Sequence, residues 1–156
     1  MESRFGDDAT FLAAFERCEY PYEAWDHRAH IRMAFLYLCA LPFDGALERI
    51  RSGIQAYNRA KDVPEGLTRG YHETLTVGWA RLVVGAILDD AAAGRASAGG
   101  RDPATPTPES RAFCDRHPEL LDTRRLDRHY TTERLWSPEA KRDFIEPDLE
   151  PLPGPD

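Results

Sequence analysis

Lysine is almost missing from this chain: its 156 residues include two lysines and eighteen arginines. Basic residues total 20 against 27 acidic ones, a net charge of -7. That balance argues against a polybasic face for nucleic acid or an anionic membrane surface. The arginine excess reads as codon bias toward GC-rich triplets, not as a set of phosphate clamps. Cysteine is scarce too. Cys18, Cys39 and Cys114 are odd in number and widely spaced, with no C-x-x-C. They read as reduced, buried thiols of a cytoplasmic protein, not as a disulfide framework or a zinc ribbon. No apolar run approaches the roughly eighteen uncharged residues of a membrane span. No basic segment precedes an apolar one at the N-terminus, so no secretion signal is expected. G-x-S-x-G, H-E-x-x-H and Gly-rich phosphate loops are missing as well, which sets aside elbow-type serine hydrolases, zincins and nucleotide-binding folds.

What is present is helical periodicity. A hydrophobic share of 42% is enough for one core, and nearly every periodic segment repeats at i, i+3, i+4. The expected fold is all-α: a compact bundle of four main helices, short C-terminal helices and an extended C-terminal tail, in one domain over 1–156. The first helix is capped by Asp7 or Asp8 and ends near Cys18. The second opens with Asp26 as N-cap and runs to Leu41, where Pro42 stops it. His27, His30, Ile31, Ala34 and Leu38 form its inward line, with Arg28 and Arg32 off that line. The third follows Asp44, with Leu47, Ile50, Ile54 and Tyr57 as its stripe. Residues 61–70 read as a loop. The fourth runs from about Arg69 to Ala93 with Thr68 as N-cap, and its two apolar rows bring both His72 and Glu73 inward.

The segment 94–108, rich in Gly, Ala and Pro, reads as a flexible loop. Short helices follow at 108–116, at 120–130, and after Ser137, an N-cap with Pro138 in the first helical position. The ending, Ile145 to Pro153, holds too many prolines for a helix and should lie extended, with Leu149 and Leu152 as anchors.

Two stretches carry the chemistry: Trp25-Asp26-His27-Arg28-Ala29-His30-Ile31 and Gly70-Tyr71-His72-Glu73-Thr74-Leu75-Thr76. They place three of the five histidines near the starts of two helices. On a helix, positions three apart bring Cβ atoms to about 5–6 Å, within reach of one metal ion. The positive end of the helix dipole keeps such imidazoles neutral, the form a metal needs. The expected site is therefore a transition-metal ion held by His27, His30, His72 and Glu73. Glu73 is either the fourth ligand or a general base beside the metal. Copper, zinc and iron all suit the set. Two further readings of the same residues stay open: a metal-free polar pocket working by acid–base chemistry, and a buried structural network. Tyr130 is a second catalytic candidate, on a late helix expected to cap the pocket. His117, before Pro118, reads as exposed. Trp25 is expected to pack beneath the histidine-bearing turn, and Tyr71 to line the pocket mouth.

W-D-H-R-A-H-I, G-Y-H-E-T-L-T and the ending F-I-E-P-D-L-E-P-L-P resemble a group of small bacterial proteins with no assigned function. In that group a helix opens with W/F-x-H-x-x-H, a Y-H-E-T-[LI]-T helix follows, and a Tyr-rich segment precedes L-x-S-x-x-A. Here the last part is His129 to Ala140. The resemblance spans most of the chain outside 94–108. It implies that His27, His30, His72 and Glu73 are a shared functional set, and it carries no substrate. The expected function is thus a metal-dependent enzyme acting on a small molecule, an oxidoreductase using iron or copper. The alternatives are a zinc hydrolase and a non-catalytic helical protein that binds a metal or small ligand. No nucleic-acid or membrane partner is expected, and nothing in the pattern fixes an oligomeric state.

Overall fold

Three helices make the frame, and two of the three open on a side-chain cap. The computed structural model describes residues 7–94 and 110–155. In it α1 spans Asp8–Glu16, α2 His27–Ala40, α3 Phe43–Ala60 and α4 Glu73–Ala92. The shorter α5 (Ser110–Arg116), α6 (Thr132–Leu135) and α7 (Pro138–Arg142) follow, with 3-10 turns at Pro118–Leu121 and Arg125–Arg128. No strand occurs among the described residues, so the chain is all-α as its periodicity predicts. Among the described residues, no helix is long and apolar enough to cross a membrane. The loop expected at 94–108 lies, apart from Gly94, outside the described residues.

α2 is the centre. It packs on α3 and α4 along one side and on α5 along another. The Asp26 carboxylate accepts the Ala29 N–H at 2.9 Å, satisfying one orphan donor of the first turn. Beneath that turn Trp25 stacks on Phe15 at 4.8 Å between ring centroids and lies 5.0 Å from Tyr57, joining α1 and α3 to the start of α2. Tyr57 itself is fully buried, and its hydroxyl donates to the Tyr20 carbonyl. Truncating a ring such as Phe15 in this cluster costs about 3–5 kcal/mol.

Arg32 departs from its expected place off the inward line. It is only 7% exposed, because α1 and α5 cover the flank of α2 that a single stripe would leave to solvent. Its guanidinium reaches the Ser110 hydroxyl at 2.8 Å and Asp8 at 3.4 Å, and lies over the Phe11 ring. A buried charge needs such partners. His117 is likewise buried, not exposed: its Nε2 meets the Asp90 carboxylate at 3.0 Å, while Arg116 holds the same carboxylate at 2.9 Å. The pair ties the end of α4 to the segment after α5.

The tail lies extended, as its prolines dictate. Arg81 donates to the Pro153 carbonyl, and Pro153 rests so close on Gly85 that a Cβ there would meet it at 3.0 Å. Leu152 is buried and anchors the tail, whereas Leu149 is 52% exposed and does not.

Candidate functional site

Between α2, α3 and α4 lies a cavity of about 400 Å³. That volume is at the small-ligand end of ordinary binding pockets. Its walls are chiefly apolar, with Trp25, Ile31, Met33, Ile54, Leu75 and Trp79 among them. His27, His30 and His72 also line it. The two sequence stretches therefore meet on one cavity. Glu73 does not face it; that side chain lines a second, wider groove with Arg51.

The histidines differ in what their nitrogens do. His27 is the first residue of α2, and its Nε2–H donates to the Leu120 carbonyl at 2.8 Å. Its ring meets Trp79 edge-on. His30 sits one turn on, and its Nδ1–H donates to the Asp26 carbonyl at 2.8 Å. Asp26 thus serves twice: its carboxylate caps the helix and its carbonyl orients a ring. Each carbonyl fixes a tautomer, because a neutral imidazole has one N–H and one lone pair. The lone pair falls on Nδ1 of His27 and on Nε2 of His30, and neither nitrogen has a hydrogen-bond partner among the described residues.

Burial keeps both rings neutral. It lowers the His27 pKa below its ordinary value, against the opposing pull of the Leu120 carbonyl. His30 falls from 6.5 to about 4, from burial first, with the neighbouring His27 adding to it. A base that weak is unprotonated throughout the physiological range. It accepts hydrogen bonds or binds a metal far better than it removes protons.

His72 is spent differently. The structure starts α4 at Glu73, not near Arg69, with His72 as the N-cap. Gly70 explains the delay: its φ is +83, a left-handed conformation that breaks any helix begun earlier. Lys141 holds the Arg69 and Tyr71 carbonyls, keeping that approach extended. The His72 Nδ1 accepts the Leu75 N–H at 3.1 Å, and its Nε2–H donates to the Leu135 carbonyl at 2.9 Å. Both nitrogens are engaged. Burial lowers its pKa as well.

Glu73 is held by Arg51 through two bonds, at 3.0 and 2.6 Å, and by the Tyr71 hydroxyl. Burial acts to raise its pKa, but these hydrogen bonds outweigh it and the net shift is downward. Among the described residues, no group of three or more His, Cys, Asp or Glu side chains is arranged to hold a metal ion.

Tyr130 stands apart from both cavities. It is 1% exposed, and its hydroxyl donates to the Ile145 carbonyl at 2.6 Å beneath the tail. Burial, with Glu146 nearby, pushes its pKa up to about 12. Tyr71 does line the cavity, as its place before His72 predicts. Sequence reasoning missed Arg51, the partner that commits Glu73, and the Leu120 and Leu135 carbonyls that set the tautomers. Backbone acceptors so far away in sequence leave no local signal. No family model matches the chain, and neither a curated protein nor a solved structure shows significant similarity to it.

Proposed function

We propose that the protein binds a small, mainly apolar molecule in the cavity between α2, α3 and α4. In this reading His27 Nδ1 and His30 Nε2 accept hydrogen bonds from a hydroxyl or amine of that molecule. The supporting observation is the pair itself: two neutral rings on one apolar cavity, each with one nitrogen bound to a carbonyl and the other open. An apolar pocket with a few fixed polar groups is the usual form of a small-molecule site. Calorimetric titration with 2-naphthol is the test. Heat of binding is expected for the wild type. 2-Naphthol has one hydroxyl proton, so affinity should fall about fivefold to tenfold in whichever of His27→Leu and His30→Leu removes its acceptor, the worth of one hydrogen bond. Equal affinity in all three proteins would overturn the assignment.

A second reading adds a metal. An imidazole that ligates a metal almost always gives its other N–H to a carboxylate or carbonyl, the pattern His27 and His30 share. Copper, zinc or iron would then sit on these two nitrogens, with the small molecule completing the shell. Met33 lines the same cavity, and a thioether favours copper(I). The chemistry would be oxidation at copper or iron, or hydrolysis assisted by zinc. His72 and Glu73 would support the site without ligating. Elemental analysis after reconstitution tests this reading. Stoichiometric metal is expected in the wild type and in His72→Asn, and its loss in His27→Ala. A wild type without metal would rule the reading out.

A further inference from the structure

The cavity and the wider groove share part of their walls: Asn58, Val63 and Tyr71 line both. All three are half-buried, and they lie at the end of α3 and in the segment leading to α4. The cavity and the groove therefore adjoin at these three residues.

The groove carries three acidic and four basic side chains. Each acid has a cation of its own: Glu73 with Arg51 at 2.6 Å, Glu65 with Lys141 at 3.2 Å, and Asp143 with Arg142 at 3.7 Å. The fourth cation, Arg59, forms no ion pair among the described residues. It is exposed, in the last turn of α3, next in sequence to the shared wall residue Asn58. Neutralised neighbours leave it as the groove's one uncompensated charge among these seven. A guanidinium of this kind favours a planar carboxylate, which it can hold through two parallel bonds.

We propose that the molecule bound in the cavity is an amphipathic acid, its apolar body inside and its carboxylate in the groove on Arg59. The inference rests on the cavity being a small-molecule site and names the class of molecule it takes. Two features divide the recognition. The apolar walls and the histidine pair select the body; Arg59 selects the charge.

An isosteric pair of probes tests the charge alone: 2-naphthoate and the uncharged 2-naphthamide, titrated by calorimetry into the full-length protein at low salt. The acid is expected to bind about fivefold more tightly than the amide, the upper end for an exposed charge contact. Arg59→Gln should remove that advantage while leaving the amide unchanged. Added salt should weaken the acid and spare the amide. Equal binding of both probes, or an advantage that survives Arg59→Gln, overturns the proposal and leaves the cavity reading intact. Failure of both probes to bind overturns the two together.

Discussion

The starts of α2 and α4 look alike in sequence and work in opposite ways. Each helix opens beside a histidine and an acidic residue. At α2 the acid is the cap: Asp26 satisfies the Ala29 N–H, and the imidazoles behind it stay open on one nitrogen. At α4 the imidazole is the cap: His72 accepts the Leu75 N–H, and the acid behind it is drawn off to Arg51. A side-chain atom that caps a helix N-terminus by accepting one of its orphan N–H groups is no longer open to a ligand. That difference divides the four residues marked by the sequence. In the proposed reading His27 and His30 form the binding edge, while His72 and Glu73 hold the scaffold.

The comparison is best broken at its histidines. His72→Ala removes a cap worth about 1 kcal/mol and orphans the buried Leu135 carbonyl, for a total near 2–4 kcal/mol in urea unfolding. His30→Ala should cost about 1 kcal/mol, since the Asp26 carbonyl still accepts the His30 backbone N–H. Equal losses would erase the distinction. Acid comes next in size. His30 has a folded pKa near 4, below its ordinary 6.5, so the unfolded chain binds the proton first. Its contribution is complete above about pH 6.5 and is lost as the pH falls through 4, amounting to roughly 3 kcal/mol in full and about 2 kcal/mol between pH 7 and pH 4.5. Stability curves at pH 7 and pH 4.5 for wild type and His30→Leu check this; parallel acid losses in both proteins would contradict it. Glu73→Gln should cost about 1–2 kcal/mol, between the exposed and buried limits for breaking an ion pair. It should leave 2-naphthol affinity unchanged. The smallest effect is Asp26→Ala, about 1 kcal/mol from the lost cap, with the His30 tautomer retained because the carbonyl remains.

Much of this was legible in the chain because it is local. Asp26 before an apolar stripe and Pro42 after it set the bounds of α2 within a residue. Ser137-Pro138 marks the start of α7, where the serine oxygen accepts the Ala140 N–H as expected. Register places His27, His30 and His72 on inward faces, and all three line the cavity. The start of α4 was harder, for Thr68 reads as a cap until the left-handed Gly70 and the reach of Lys141 intervene. Arg32 and His117 were misplaced for a related reason. Their burial depends on α5 and Asp90, brought in by tertiary packing that no periodicity encodes. Glu73 belongs with them: only the fold puts Arg51 beside it.

One spectrum tests the division most directly: the long-range ¹H–¹⁵N correlation of the histidine rings at pH 7, before and after addition of 2-naphthol. The prediction is three neutral rings, with the proton on Nε2 of His27, Nδ1 of His30 and Nε2 of His72. On addition, His27 Nδ1 or His30 Nε2 shifts, whichever accepts the hydroxyl proton, and His72 Nδ1 stays in place. A shift at His72 Nδ1 with the other two unmoved would contradict the account.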